Sequence, residues 1–104
     1  MVRSAHSSKQ AALLFRALLQ APEAWHHGYA LMQELGIASG SLYPLLIRLA
    51  DDGLLESEWE VAEENARPRR LYRLTAAGRS LAQERLARFE ARESIAATPH
   101  RAPA

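Results

Sequence analysis

The stretch SGSLYPLLIRLADDG, residues 39–53, decides how the rest of the chain is read. Leu42, Leu45, Leu46 and Leu49 fall at i, i+3, i+4 and i+7, the spacing of one buried helical face. Gly40, Pro44, Ile47, Arg48 and Asp51 then point away from that face, with Ser41 and Tyr43 on its flanks. Ser39 or Ser41 can cap the N-terminus, and Gly53 after two aspartates is a C-terminal stop. Pro44 fits only near the start, where a missing N–H leaves little or no helical bond unmade. A helix anchored by leucines, with small, hydroxylic and aromatic groups at its front, is suited to entering a groove. The expectation is a DNA-recognition helix. Ser39, Gly40, Ser41 and Tyr43 would form its front, Tyr43 touching the DNA backbone rather than reading a base. Arg48 faces outward, where DNA and the neighbouring Asp51 and Asp52 compete for it.

Composition frames this reading. A chain of 104 residues has room for one domain and a modest core, and 48% hydrophobic content argues against disorder. No apolar run approaches the roughly 18 residues of a membrane span. The N-terminal MVRSAHSSKQ lacks the apolar centre of a secretory signal, so a cytoplasmic protein with no membrane partner is expected. Without cysteine there is neither a disulfide framework nor a thiolate metal site. The net charge of +1 and pI of about 8.3 fall below what a strongly basic nucleic-acid binder shows. Distribution is more telling. Residues 51–64 hold seven acids and no Arg or Lys, whereas residues 65–83 hold five arginines (Arg67, Arg69, Arg70, Arg73, Arg79) and no acid. Such a block is usually a solvated face. Here it follows a candidate recognition helix, which points to a basic wing of Arg67, Arg69 and Arg70.

Upstream, Ser7 and Gln10 form a capping-box pattern before a first helix over residues 8–20. Ala11, Leu14, Phe15 and Leu18 make one face of it, while Leu13, Ala17 and Leu19 extend onto others. A helix apolar on more than one side is buried on more than one side, and a second subunit is the expected cover. After the turn PEAWHHG, a short helix runs from residue 28 or 29 to 35, with Leu31, Met32 and Leu35 inward, and Gly36 ends it. Two short helices joined by a glycine-containing turn form the helix-turn-helix pattern.

From Leu54 the period changes to two. In LLESEWEV, Leu55, Ser57, Trp59 and Val61 share one side of a strand and Glu56, Glu58 and Glu60 the other, placing Trp59 in the core. RRLYRLT alternates likewise, and the polar AEENARP between them is a hairpin loop. Thr75 caps a last helix from residue 76 to 94 or beyond, with Gly78, Leu81, Ala82, Leu86 and Phe89 on one side. The expected fold is mainly α with a small β-hairpin: a winged helix-turn-helix with an N-terminal helix and a C-terminal dimerisation helix. Residues 1–75 would form the DNA-binding domain, 76–95 the dimerisation helix and 96–104 a disordered tail.

These residues resemble the PadR family of bacterial transcriptional regulators. HGYALMQEL, GSLYPLLIRLADDGLLESEWE and PRRLYRLTAAGR carry the resemblance, in the family's order and spacing, over residues 8–93. It implies a homodimer that binds palindromic operator DNA, usually as a repressor, with the first and last helices making the dimer. Leu13, Leu19, Leu81, Leu86 and Phe89 are the corresponding interface candidates. By position, Ser41 and Tyr43 match DNA contacts of the recognition helix, and Arg69 and Arg70 match basic wing positions. The resemblance also implies phenolic or drug-like small-molecule effectors without selecting one. Ala38 stands where the family often has a capping serine. The last helix carries no tryptophan for an aromatic drug-stacking pocket between subunits.

Catalysis and cofactors are not expected. His6, His26, His27 and His100 are the only histidines; the adjacent pair cannot put both rings on one helix face, and no His-Glu-x-x-His occurs. Exposed loop histidines are the simpler reading, although His27, before a helix N-terminus, could meet a phosphate. Trp25 is expected to pack rather than to line an effector pocket. The competing function is a winged-helix module that binds protein instead of DNA, which the acidic block would suit. A DNA wing requires Arg67, Arg69 and Arg70 on the same side as Tyr43.

Overall fold

The computed structural model describes residues 8–60 and 68–97. In chain order these form α1 (Lys9–Leu19), β1 (His26–His27), α2 (Gly28–Leu35), α3 (Ser39–Asp51), β2 (Leu55–Trp59), β3 (Arg70–Leu74) and α4 (Ala76–Ala97). Ser7, Val61, Arg67, His6, His100 and the expected tail beyond residue 97 lie outside the described residues. The result is a mainly helical winged helix with one small antiparallel sheet.

The leucine spacing of α3 organises the core. Leu42, Leu46 and Leu49 are fully shielded from water and Leu45 nearly so, packed with Leu14, Phe15 and Leu18 of α1 and Leu31 of α2. Six of the eleven residues of α1 are buried, as its apolar surplus implies. The Ser8 Oγ accepts from the Ala11 N–H at 3.0 Å, so the cap is Ser8, one residue beyond the expected Ser7. Gly36 ends α2 in the left-handed region (φ 65°), where only glycine is unstrained.

The ends of α3 differ from expectation at the start and agree at the stop. Ala38, not a serine, occupies the N-cap; its carbonyl accepts from both Ser41 and Leu42, and no side chain caps the helix. Pro44 lies in the second turn, so the Gly40 carbonyl lacks an i+4 donor. At the other end Gly53 (φ 76°) closes a Schellman motif. Its N–H meets the Ala50 carbonyl at 3.0 Å, and the Leu54 N–H meets that of Leu49 at 2.9 Å.

The expected hairpin is part of a three-stranded sheet in the order β1-β3-β2. His26 and His27, read as a turn, pair with Tyr72 and Leu71. Leu55 pairs with Leu74, Ser57 with Tyr72 and Trp59 with Arg70. Leu55, Tyr72 and Leu74 are buried on one face, but Trp59 on that face is 60% exposed. The expectation of a core tryptophan is therefore corrected. Four residues beyond Leu55, about 13 Å along the strand, the helical layer no longer covers the sheet.

Thr75 joins α4 to this body. Its Oγ1 donates to the Gly53 carbonyl at 2.7 Å and accepts from the Gly78 N–H at 2.9 Å, while its own N–H reaches the Leu54 carbonyl at 3.1 Å. One N-cap thus holds the end of α3, the start of β2 and the first turn of α4 together. Beyond that turn α4 packs along α1, burying Ala82 completely.

Candidate nucleic-acid interface

Three elements meet beside the first turn of α3. Ser39, Gly40 and Ser41 are exposed there. Tyr43, one turn on, is half-buried and lies across the start of α2. A Cβ on Gly28 would fall 2.8 Å from Tyr43 Cε1 and 3.3 Å from its hydroxyl, so the missing side chain makes room for the ring. From the sheet, Trp59 and Arg70 stand as cross-strand partners, with the Arg70 guanidinium 4.8 Å from the centre of the indole. Arg70 Nη2 also donates to Ser57 Oγ at 2.8 Å. Together with Arg69 these groups border a cleft of about 500 Å³. A second cleft of about 450 Å³ shares Tyr43, Trp59 and Arg70 with the first and is also bordered by Ile47, Ala50 and Asp51 of α3.

Electrostatics separate these arginines from the rest. Arg73 pairs with Glu56 at 2.9 Å and lies 4.3 Å above the Trp25 ring, which gives Trp25 a packing role. Arg79 approaches Glu23 at 4.0 Å, and Arg48 lies 3.9 Å from Asp52. Among the described residues neither Arg69 nor Arg70 pairs with a carboxylate. The first cleft is lined by both of them and by His27, and by no acid among the described residues. His27 Nε2 is hydrogen-bonded to Glu60 at 2.9 Å, which ties β1 to the end of β2. Burial pushes the Tyr72 hydroxyl above its ordinary pKa, with nearby Arg70 opposing and Tyr43 reinforcing the shift.

The structure thus gathers Tyr43, Arg69 and Arg70 at one cleft, while Ser39, Gly40 and Ser41, exposed in the first turn of α3, are not among its lining residues. Arg48 lies farther along α3, exposed and weakly paired. Arg67 is outside the described residues. The sequence places Trp59 in the core and Ile47 outward without a role, and gives no sign of Tyr29, whereas all three are exposed at this surface. Alternation places a residue on a sheet face but does not tell where the opposing layer ends. Of the interface candidates, Leu19 and Leu81 are half-buried against the core. Leu13 and Phe89 instead border an open groove of about 420 Å³ between α1 and the far part of α4, and Leu86 is half-buried nearby in sequence. Among the described residues no three His, Asp or Glu side chains gather as metal ligands would, and no helix is long and apolar enough to cross a membrane.

A short helix pair packed on a three-stranded sheet with a projecting hairpin defines a winged helix-turn-helix protein. Residues 18–84 match the Transcriptional regulator PadR-like family, and this chain belongs to that family. Transcriptional regulator Rv3488 of Mycobacterium tuberculosis is 42% identical over 101 residues, covering 90% of this chain and 92% of that protein. A PadR family transcriptional regulator from Eggerthella lenta superposes with a TM-score of 0.67 at 32% identity, over 85% of this chain and 80% of its own. The PcaV regulator from Streptomyces coelicolor, whose structure holds its natural ligand, shares the fold at 22% identity. Its TM-score is 0.75, over 98% of this chain and 68% of that one. The family and the Mycobacterium relative are transcriptional regulators, not enzymes.

Proposed function

We propose that this regulator acts as a homodimer on a palindromic operator, as a repressor in the cytoplasm, through the face that carries the first turn of α3 and the wing. One observation carries the reading: Tyr43, Arg69 and Arg70 border a single cleft that, among the described residues, no carboxylate lines. Residues 1–75 would bind DNA, Ser39, Gly40, Ser41 and Tyr43 from α3 and Arg69 and Arg70 from the wing, with Arg48 at the margin. Residues 76–95 would pair the subunits, with Leu13, Leu86 and Phe89 at the seam. The protein-binding alternative loses ground because the acidic block is partly consumed internally. Glu56 is held by Arg73, Glu60 by His27 and Asp52 lies beside Arg48.

The α3 contribution is testable with Ser41→Ala combined with Tyr43→Phe. The phenyl ring keeps the packing over Gly28, so the melting temperature should stay put. Affinity for DNA should fall by about 1–3 kcal/mol if both hydroxyls donate to phosphates. Unchanged affinity with unchanged melting would place the contacts elsewhere.

A further inference from the structure

Among the described residues Trp59 is the most exposed of the large hydrophobic side chains, at 60%, and it is not a stray surface residue. It divides two clefts that both reach Tyr43 and Arg70, so its indole stands as a partition between α3 and the wing. Scattered exposed apolar groups need no explanation, but an ordered indole grouped with Tyr43 and the exposed Ile47 marks a contact surface. Arg70 gives the cluster its sign. Stacking on Trp59 and hydrogen bonding to Ser57 fix the guanidinium, which leaves it less freedom to lose when an anion arrives. Among the described residues no carboxylate has claimed it.

We infer that Trp59 is itself a DNA-contacting residue. Its indole packs on a deoxyribose of the strand that lies between α3 and the wing, and it holds Arg70 against the adjoining phosphate. The occupant is assigned by chemistry. A nucleic-acid backbone alternates apolar sugar faces with anionic phosphates, and the wall opposite offers an aromatic face beside two arginines that pair with no carboxylate among the described residues. A protein partner would meet Arg69 and Arg70 in the first cleft with no acid among its described lining residues, Asp51 bordering only the second cleft, a poor match unless it were itself acidic. The inference rests on the DNA-binding reading, and the experiment separates the two.

Trp25 and Trp59 are the only tryptophans. Trp25→Phe therefore leaves Trp59 as the sole indole reporter, and Trp59→Phe leaves Trp25. Each protein is titrated with a labelled mixed-sequence duplex of about 30 base pairs at low salt, where non-specific binding is strong. Label anisotropy reports binding, and indole emission with acrylamide quenching reports burial. At saturation Trp59 emission should change by a third or more, with quenching reduced about twofold, while Trp25 emission stays nearly constant. Trp59→Ala should weaken binding about tenfold. Should Trp25→Phe fail to fold, the difference between the unmodified protein and Trp59→Phe supplies the same signal. Rising anisotropy with Trp59 still fully open to acrylamide would overturn the inference, leave DNA binding intact and assign the clefts to another occupant. No anisotropy change at any salt would overturn both.

Discussion

Gly78→Ala is expected to destabilise the protein by about 3 kcal/mol or more, enough to cost a sizeable part of a small domain's total stability. A Cβ at this position would lie 1.8 Å from the Leu54 carbonyl oxygen and 2.8 Å from its carbon. Both are backbone atoms, and they sit where movement is most expensive. Leu54 is the residue that closes the Schellman turn of α3 through the Leu49 carbonyl, and its own carbonyl accepts from Thr75. Relief would require lifting the first turn of α4 from the end of α3, breaking the Thr75 bonds on both sides. Helix propensity alone would favour alanine by about 1 kcal/mol, so the sign of the change is diagnostic. Urea unfolding checks it. Equal or greater stability would show that α4 does not approach Leu54 this closely.

Phe89→Asp should convert the proposed dimer into monomers and remove high-affinity operator binding. Phe89 lies outside the core cluster, so the subunit fold should tolerate the change. In the assembled dimer, however, the carboxylate would have to leave water twice, once per subunit. At about 3 kcal/mol per copy, the dissociation constant rises by roughly four powers of ten. The groove shared by Leu13 and Phe89 is where α1 and α4 leave apolar surface that none of the described residues covers. Sedimentation at micromolar concentration decides the matter, and an intact Phe89→Asp dimer would move the seam elsewhere.

Much of this architecture is legible in the chain. The leucines of residues 42–49 announce their helix and its buried face, and Gly53 announces the turn that ends it. Thr75 and Gly78 bracket the start of α4, although only the folded chain reveals that Gly78 serves a close backbone approach. Other features depend on distant partners. Two residues have no period to read, so β1 exists only because β3 offers His26 and His27 its free edge. Trp59 follows the alternation of its strand faithfully and still ends 60% exposed, because alternation does not tell where the opposing layer stops.

The candidate site divides the same way. An arginine block between residues 65 and 83 points to a basic wing, but the sequence does not separate Arg73 and Arg79, which turn to Glu56 and Glu23, from Arg69 and Arg70. Nor does it reveal that Tyr43 rests on Gly28, fifteen positions earlier, and thereby faces the wing. Pairing of that kind is a tertiary outcome.

The most direct measurement is the salt dependence of DNA affinity for the unmodified protein and Arg69→Ala, on a mixed-sequence duplex. Arg69 is exposed, makes no ion pair among the described residues and borders the cleft beside Tyr43. A cation that neutralises a phosphate releases a counterion, at roughly 1 in the slope of log affinity against log salt per contact. In a symmetric dimer the residue acts twice. The slope should be shallower by about 2 for Arg69→Ala, with affinity falling alike on specific and random DNA. An unchanged slope with unchanged affinity would contradict it, because the wing would then be a solvated hairpin that does not touch DNA.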